Sequence, residues 1–238
     1  MTATSTDSEM TTNHPASPPA KGFAPPRTIT ILFLLGCGVY MALNAAGIDG
    51  LWMAALKIVP IATLFALAAR HLTGATRTLC LVALAFSALG DVLLAVPFAD
   101  HFTFGLGAFL LAQLTYTLTF ARNARFSLCL AGRAFSILVA AGLLAAQILP
   151  AAGDLMLPVA LYIAAISAMA LSAAAHKGAS SLLFAGALAF MASDALIAIN
   201  RFLGPVPLAG TWIMLTYYGA QALLVTGLIR AHLAARGA

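Results

Sequence analysis

Three ionisable side chains, Lys57, Asp91 and Asp194, stand inside stretches that are otherwise apolar. Asp91 lies in FSALGDVLLAV, from Phe86 to Val96, and Asp194 in FMASDALIAINRF, from Phe190 to Phe202. A charge at the centre of a spanning helix costs about 2.5–3.5 kcal/mol on insertion scales, so such residues face a protein interior and mark functional sites. Two carboxylates with an ammonium are equipment for acid–base work. One carboxyl can give a proton while the other takes one or stands beside a developing cation, as in glycoside hydrolysis. That chemistry requires the three groups to meet, which depends on the segments carrying them.

Of the 238 residues, 62% are hydrophobic and 8% charged. A soluble domain carries roughly 25% charged residues, so the composition is that of an all-α, polytopic membrane protein. The net charge of +5 does not indicate a nucleic-acid partner, because the basic residues are scattered singly between apolar runs. Eight segments have the length needed to cross a bilayer: Thr28–Ala46, Leu51–Ala69, Thr78–Val96, Phe102–Ala121, Arg133–Leu149, Leu155–Ala174, Ala179–Asn200 and Leu208–Ile229. Turn and charge signals separate them, among them Gly47 to Gly50, Pro97, Pro150 to Asp154, and Gly204 to Pro207. Residues 1–27 read as a disordered cytoplasmic tail, 28–230 as the transmembrane domain and 231–238 as a short cytoplasmic C-terminus.

Ten of the twelve Lys and Arg residues fall in the termini or the even-numbered breaks, which predicts that both termini are cytoplasmic. The expected location is a bacterial inner (plasma) membrane. With this orientation Lys57, Asp91 and Asp194 all lie roughly 8–10 Å below the outer boundary, at 1.5 Å of rise per residue. Asn44, Gln113, Tyr116, Tyr162, Thr216, Tyr217, Tyr218 and Gln221 reach similar or slightly greater depth on other spans. Gln113 and Tyr116 share a helix face, as do Tyr217 and Gln221. A polar chamber open toward the outer leaflet is expected, with Asp91 and Asp194 catalytic and Lys57, Gln113, Tyr116, Tyr162, Asn200, Tyr217 and Gln221 holding substrate.

Ala88 to Val96 lines up with Met191 to Ile199 at an offset of 103 residues, four spans apart. The two copies share an orientation, which suggests two parallel four-helix halves with a site at their interface. No metal or other cofactor is expected. His14, His71, His101, His176 and His232 fall in the tail, the breaks or the C-terminus, so they build no three-ligand zinc site at the chamber's depth. Nucleophilic Ser-His catalysis lacks an intramembrane base for the same reason. Cys37, Cys80 and Cys129 sit singly in apolar runs and read as packing residues.

FSALGDVLLA, FMASDALIAINRF and TYYGAQ, from Thr216 to Gln221, resemble the lysoplasmalogenase family, or YhhN-like membrane proteins. Lys57 with Pro60, and Phe104 through Tyr116, fit the same pattern. The resemblance implies hydrolysis of the vinyl ether bond of a lysophospholipid, giving a fatty aldehyde and a glycerophospho-headgroup, with membrane lipids as surroundings. It also implies a histidine in the fourth span, where this chain has Gln113. Protonation of a vinyl ether at its β-carbon gives an oxocarbenium-like cation, a reaction suited to two carboxylates. A proton-coupled transporter of a small amphiphile is the alternative, since intramembrane charges in parallel repeats also serve transport. A purely structural role for Lys57 would leave one aspartate without a partner.

Overall fold

The computed structural model describes residues 23–125, 128–178 and 180–237. Among these, eight helices are long and apolar enough to cross a membrane. They are α1 (Arg27–Ala45), α2 (Leu51–His71), α3 (Gly74–Ala95), α4 (His101–Ala121), α5 (Leu128–Ile148), α6 (Met156–Ala175), α7 (Ser180–Phe202) and α8 (Ala209–Arg236). Two short 3-10 turns, Leu149–Ala151 and Gly153–Leu155, join α5 to α6. The chain is an integral multi-pass membrane protein. Large apolar side chains such as Leu34, Leu35, Leu118, Phe135 and Leu143 point outward, while Ser87, Gln113 and Gln221 are fully buried. This distribution suits a lipid surround, where backbone groups are satisfied within helices and polar side chains turn inward.

Most of the expected tail, residues 1–22, lies outside the described residues. Its last part is tied down: the Phe23 ring meets His71 edge-on, and Arg230 Nε donates to the Phe23 carbonyl at 3.2 Å. Helix α8 continues beyond Ile229 to Arg236, because hydropathy marks where an apolar run stops and not where helical hydrogen bonding stops. Likewise α5 begins at Leu128, ahead of the expected Arg133.

Helix neighbours recur after four helices. Contacts α1–α2, α2–α3 and α3–α4 repeat as α5–α6, α6–α7 and α7–α8, and the contact of α2 with α8 has its counterpart in α6 with α4. Helices α4 and α8 both start from a left-handed residue that is not glycine, Asp100 and Leu208. Both packed pairs also depend on missing β-carbons. A Cβ on Gly90 would stand 2.6 Å from the Phe109 ring across α3–α4, and one on Gly227 would stand 2.8 Å from Leu183 across α7–α8. The connections α1–α2, α3–α4, α5–α6 and α7–α8 share one end of the bundle. It is called the acidic end here, after Asp49, Asp100 and Asp154.

Candidate functional site

Helices α2 and α3 bring the first pair of charges together. Lys57 Nζ lies 3.1 Å from Asp91 Oδ1, the lysine side chain being 13% exposed and the aspartate 2%. Pro60, one turn further along α2, has no N–H to donate, and the nearby Lys57 carbonyl accepts the Tyr218 hydroxyl of α8 at 2.8 Å. The lysine is therefore held at its backbone as well as at its ammonium. Asp91 Oδ2 has no hydrogen-bond partner, nor has the Tyr217 hydroxyl, which interacts with the same carboxylate. A buried ion pair repays its desolvation only when its remaining lone pairs are satisfied. Asp91 instead keeps one acceptor and one neighbouring phenol uncommitted.

The second carboxylate is held differently. Tyr162 of α6 donates its hydroxyl to Asp194 Oδ2 of α7. Both residues line a narrow cavity of about 60 Å³ whose other walls are apolar, including Leu94, Phe102, Phe109, Leu144, Ile163 and Phe202. Each aspartate thus takes its partner from the preceding helix of its own half, an ammonium in one case and a phenol in the other.

A further cavity, of about 490 Å³, opens at the acidic end between α1, α2 and α3. Its polar wall is made by Tyr40, Asn44, Asp49 and Lys57. Leu94 lines both cavities. It stands three residues beyond Asp91, hence on the same face of α3. The single chamber expected from sequence is therefore divided, with a polar compartment at Lys57, an apolar one at Asp194 and Leu94 between them, while Asp91 lines neither and is buried behind Lys57, its ion-pair partner.

The remaining predicted residues separate into groups. Tyr116 donates to Gln221 Oε1 at 2.7 Å, and Gln221 Nε2 donates to Ser87 Oγ at 3.0 Å, so the three form a closed interior network that lines neither cavity. Tyr217 is clamped edge-on between Phe109 and Phe190. Gln113 is fully buried beside Tyr162, with both amide atoms lacking partners. Asn200 is exposed and accepts from the Val206 backbone N–H at 3.0 Å, bracing the α7–α8 connection. Thr216 bonds within its own helix, to the Trp212 carbonyl at 2.7 Å. Sequence reasoning missed Tyr40 and Asp49 on the polar wall and Leu94 as the partition. Nothing in residue type distinguishes Leu94 from its many apolar neighbours. Among the described residues no three His, Cys, Asp or Glu side chains gather into a set able to hold a metal ion.

A model of the YhhN family matches residues 52–228, a stretch that includes Lys57, Asp91, Asp194 and the whole interior network. The chain belongs to the YhhN family. Among similar proteins, a Mycobacterium bovis protein named Lysoplasmalogenase is 36% identical over 179 residues, covering 73% of this chain and 69% of that one. The human Lysoplasmalogenase TMEM86B is 35% identical over 201 residues, covering 83% and 85%. The bovine Lysoplasmalogenase TMEM86A is 30% identical over 212 residues, covering 82% and 85%. No solved structure matches this YhhN-family chain. Its Tyr40, Asn44 and Asp49 precede the matched stretch, so the outer rim of the polar cavity lies beyond what the family model describes.

Proposed function

We propose that the protein hydrolyses the vinyl ether bond of a lysoplasmalogen or a closely related lysolipid, with Asp91 and Asp194 dividing the chemistry. The observation that carries this reading is the division of the site at Leu94 into a polar cavity lined by Lys57, to which Asp91 is ion-paired, and an apolar one lined by Asp194. An amphiphile with its headgroup in one and its chain in the other would place the intervening vinyl ether between the two aspartates.

Asp194 suits the role of proton donor, having a phenol and an apolar cavity around it and, among the described residues, no ion pair. It gives its proton to the β-carbon of the vinyl ether, whose π electrons form the new C–H bond and leave an oxocarbenium-like cation. Asp91, whose ion pair with Lys57 leaves Oδ2 free, opposes that cation electrostatically. Water adds to the cationic carbon and yields a proton to a carboxylate. The hemiacetal then collapses: its hydroxyl proton leaves, the glycerol oxygen accepts one, and the products are a fatty aldehyde and a glycerophospho-alcohol. Tyr162 orients the donor, and Tyr217 packs beside the carboxylate that faces the cation.

Purified protein in detergent, given vinyl ether, alkyl ether and acyl lysolipids, is expected to release aldehyde only from the first. Asp91→Asn and Asp194→Asn keep size while removing a charge or a proton, and each should lower turnover at least about a hundredfold. Folded Asn variants that both cleave at the parent rate would exclude the two-carboxylate mechanism. Absence of aldehyde from every lipid would favour a transporter, which needs two compartments to act. Independently of the chemistry, the Lys and Arg asymmetry of the breaks supports cytoplasmic termini, for which a reporter fused at Gly74 or Ala238 should give a cytoplasmic signal and one at Gly153 an external signal.

A further inference from the structure

The end of the bundle opposite the acidic end collects cations. Arg70, Arg77, Arg122 and Arg230 are exposed there, and none of the described carboxylates is near: Asp49, Asp100 and Asp154 stand at the other end, Asp91 and Asp194 in the interior. Arg77, in the first turn of α3, makes no ion pair and no side-chain hydrogen bond among the described residues. The helix dipole adds to its charge at this position instead of offsetting it.

Arg77 and Thr78 stand at the outer end of a groove on the bilayer face of α2 and α3. A hollow of about 550 Å³ lies between Phe65 of α2 and Leu81, Val82 and Ala85 of α3, and a second of about 190 Å³ continues it along Ile61, Ala62 and Ala88. Phe65 and Ala85 line both, so the two form one trough, and the alanines keep its inner part open. Ala88 is eleven residues beyond Arg77, about 16 Å along the helix at about 1.5 Å per residue. Half the hydrocarbon core of a bilayer is about 15 Å. The trough thus has the length of one leaflet's acyl chain, with a cation at the headgroup end.

The second half of the protein shows this face covered. At the repeat offset of 103 residues, Arg77, Thr78 and Leu81 correspond to Ser180, Ser181 and Phe184. Arg133 of α5 closes over that position: it donates to Ser180 Oγ at 3.2 Å and to Ser181 Oγ at 3.1 Å, and its guanidinium lies 5.0 Å from the Phe184 ring centre. Helix α1 is the counterpart of α5, yet it packs on α2 and α8 and leaves the trough lined by α2 and α3 alone.

We propose that the α2–α3 trough seats an anionic phospholipid from the leaflet at this end, its phosphate on Arg77 and one acyl chain along Phe65, Ala85 and Ala88. The site lies apart from both cavities above and needs no reaction at them. A second copy of the chain in the same membrane orientation would bring no described carboxylate to this level and would leave Arg77 unanswered. A zwitterionic lipid would bring its own ammonium to compete for the phosphate. An anionic headgroup meets the charge without a competitor, a gain of about fivefold in affinity for one basic residue at the surface.

The test uses the full chain purified in detergent and native mass spectrometry, with phosphatidylglycerol and phosphatidylcholine of matched acyl chains as probes. The parent should retain phosphatidylglycerol about fivefold more tightly than phosphatidylcholine. Arg77→Gln should bring phosphatidylglycerol down to the phosphatidylcholine level, whereas Arg122→Gln, at the same end but off the trough, should leave the preference unchanged. Ala85→Trp, whose new ring fills the trough from an exposed position, should weaken both lipids about equally. A folded Arg77→Gln protein that keeps the preference overturns the assignment. So does an Arg122→Gln protein that loses as much, which would make the attraction a property of the whole basic end. A parent that binds the two lipids alike, or neither, overturns it too, as does a parent found as a two-chain species that Ala85→Trp separates, which would make the trough a contact between copies.

Discussion

Leu94 and Gly105 are packed so closely that a β-carbon on residue 105 would stand 2.5 Å from Leu94 Cδ2 and 2.6 Å from Leu94 Cγ. The side chain dividing the two cavities is thus held in place by the absence of a side chain on α4. A methyl group at 105 must push Leu94 into one of the spaces it separates. Gly105→Ala is expected to lower kcat/KM by about ten- to a hundredfold, the scale on which small misplacements of reacting groups act. Adding Leu94→Ala should recover part of that loss by removing the obstruction. Aldehyde release from the single and double variants, with monodispersity in detergent as the fold control, decides it. A double variant no better than the single one would show that Leu94 is not the affected part.

The two aspartates have partners of different chemistry, so removing each partner should have different consequences. Lys57→Met leaves Asp91 buried without a cation, and breaking a buried pair in this way costs about 3–5 kcal/mol. Both thermal stability and turnover should fall. Tyr162→Phe removes one hydrogen bond to a neutral carboxyl group, an interaction of about 0.5–1.5 kcal/mol. The expected result is a lower kcat with nearly unchanged KM and a smaller loss of melting temperature than for Lys57→Met. Equal losses of stability in the two variants would contradict this division.

Gln221 is expected to act as a brace. It accepts from Tyr116 and donates to Ser87. Gln221→Leu would leave the fully buried Tyr116 hydroxyl without a partner, at about 1–3 kcal/mol for an unsatisfied group, while Ser87 keeps its bond to the Ala83 carbonyl at 2.9 Å. Melting temperature should drop while the KM of the remaining folded enzyme stays near the parent's. A rise in KM at unchanged stability would instead make Gln221 a substrate contact.

Outside the membrane-spanning segments, His176 caps the end of α6, buried against the Phe120 ring with Nδ1 unpaired. Burial holds its pKa below the usual histidine value, partly offset by a backbone hydrogen bond at Lys177. The unfolded chain takes up this proton near pH 6.5, and the folded chain does so only at lower pH. The contribution to stability is therefore full above about pH 6.5 and is lost as pH falls through the folded value. Melting temperatures between about pH 7.5 and 5.5 should decline less in His176→Gln than in the parent. Parallel declines would remove His176 as the cause.

Eight crossings and the three intramembrane charges were legible in the sequence because they rest on strong, local quantities: run length, and the few charges placed where charges are expensive. Which aspartate Lys57 meets is open at that level, and the structure gives it Asp91. The repeat was visible as well, through Gly90-Asp91 and Ser193-Asp194, and the recurring helix neighbours agree with it. Depth was the wrong guide for the polar residues. Tyr116 and Gln221 reach suitable levels, yet they face each other inside the bundle. Depth fixes one coordinate, while the rotation of each helix about its own axis fixes whether a side chain lines a space. That rotation is set by small-residue contacts such as Gly90 on Phe109, whose partners lie on another helix and leave no mark in the local pattern.

Because each carboxylate takes its partner from the helix just before it, the chain has a favourable order of entry into the bilayer during synthesis. Lys57 emerges ahead of Asp91, and Tyr162 ahead of Asp194, each pair within two adjacent helices. An isolated charged side chain arriving at the bilayer centre meets a penalty of about 2.5–3.5 kcal/mol on translocon scales. Here a nascent helical hairpin can bring the acidic group in beside a partner already present, without waiting for the other half of the protein to be made. The pairs that prepare the site for chemistry are thus also suited to carrying its costly residues into the membrane.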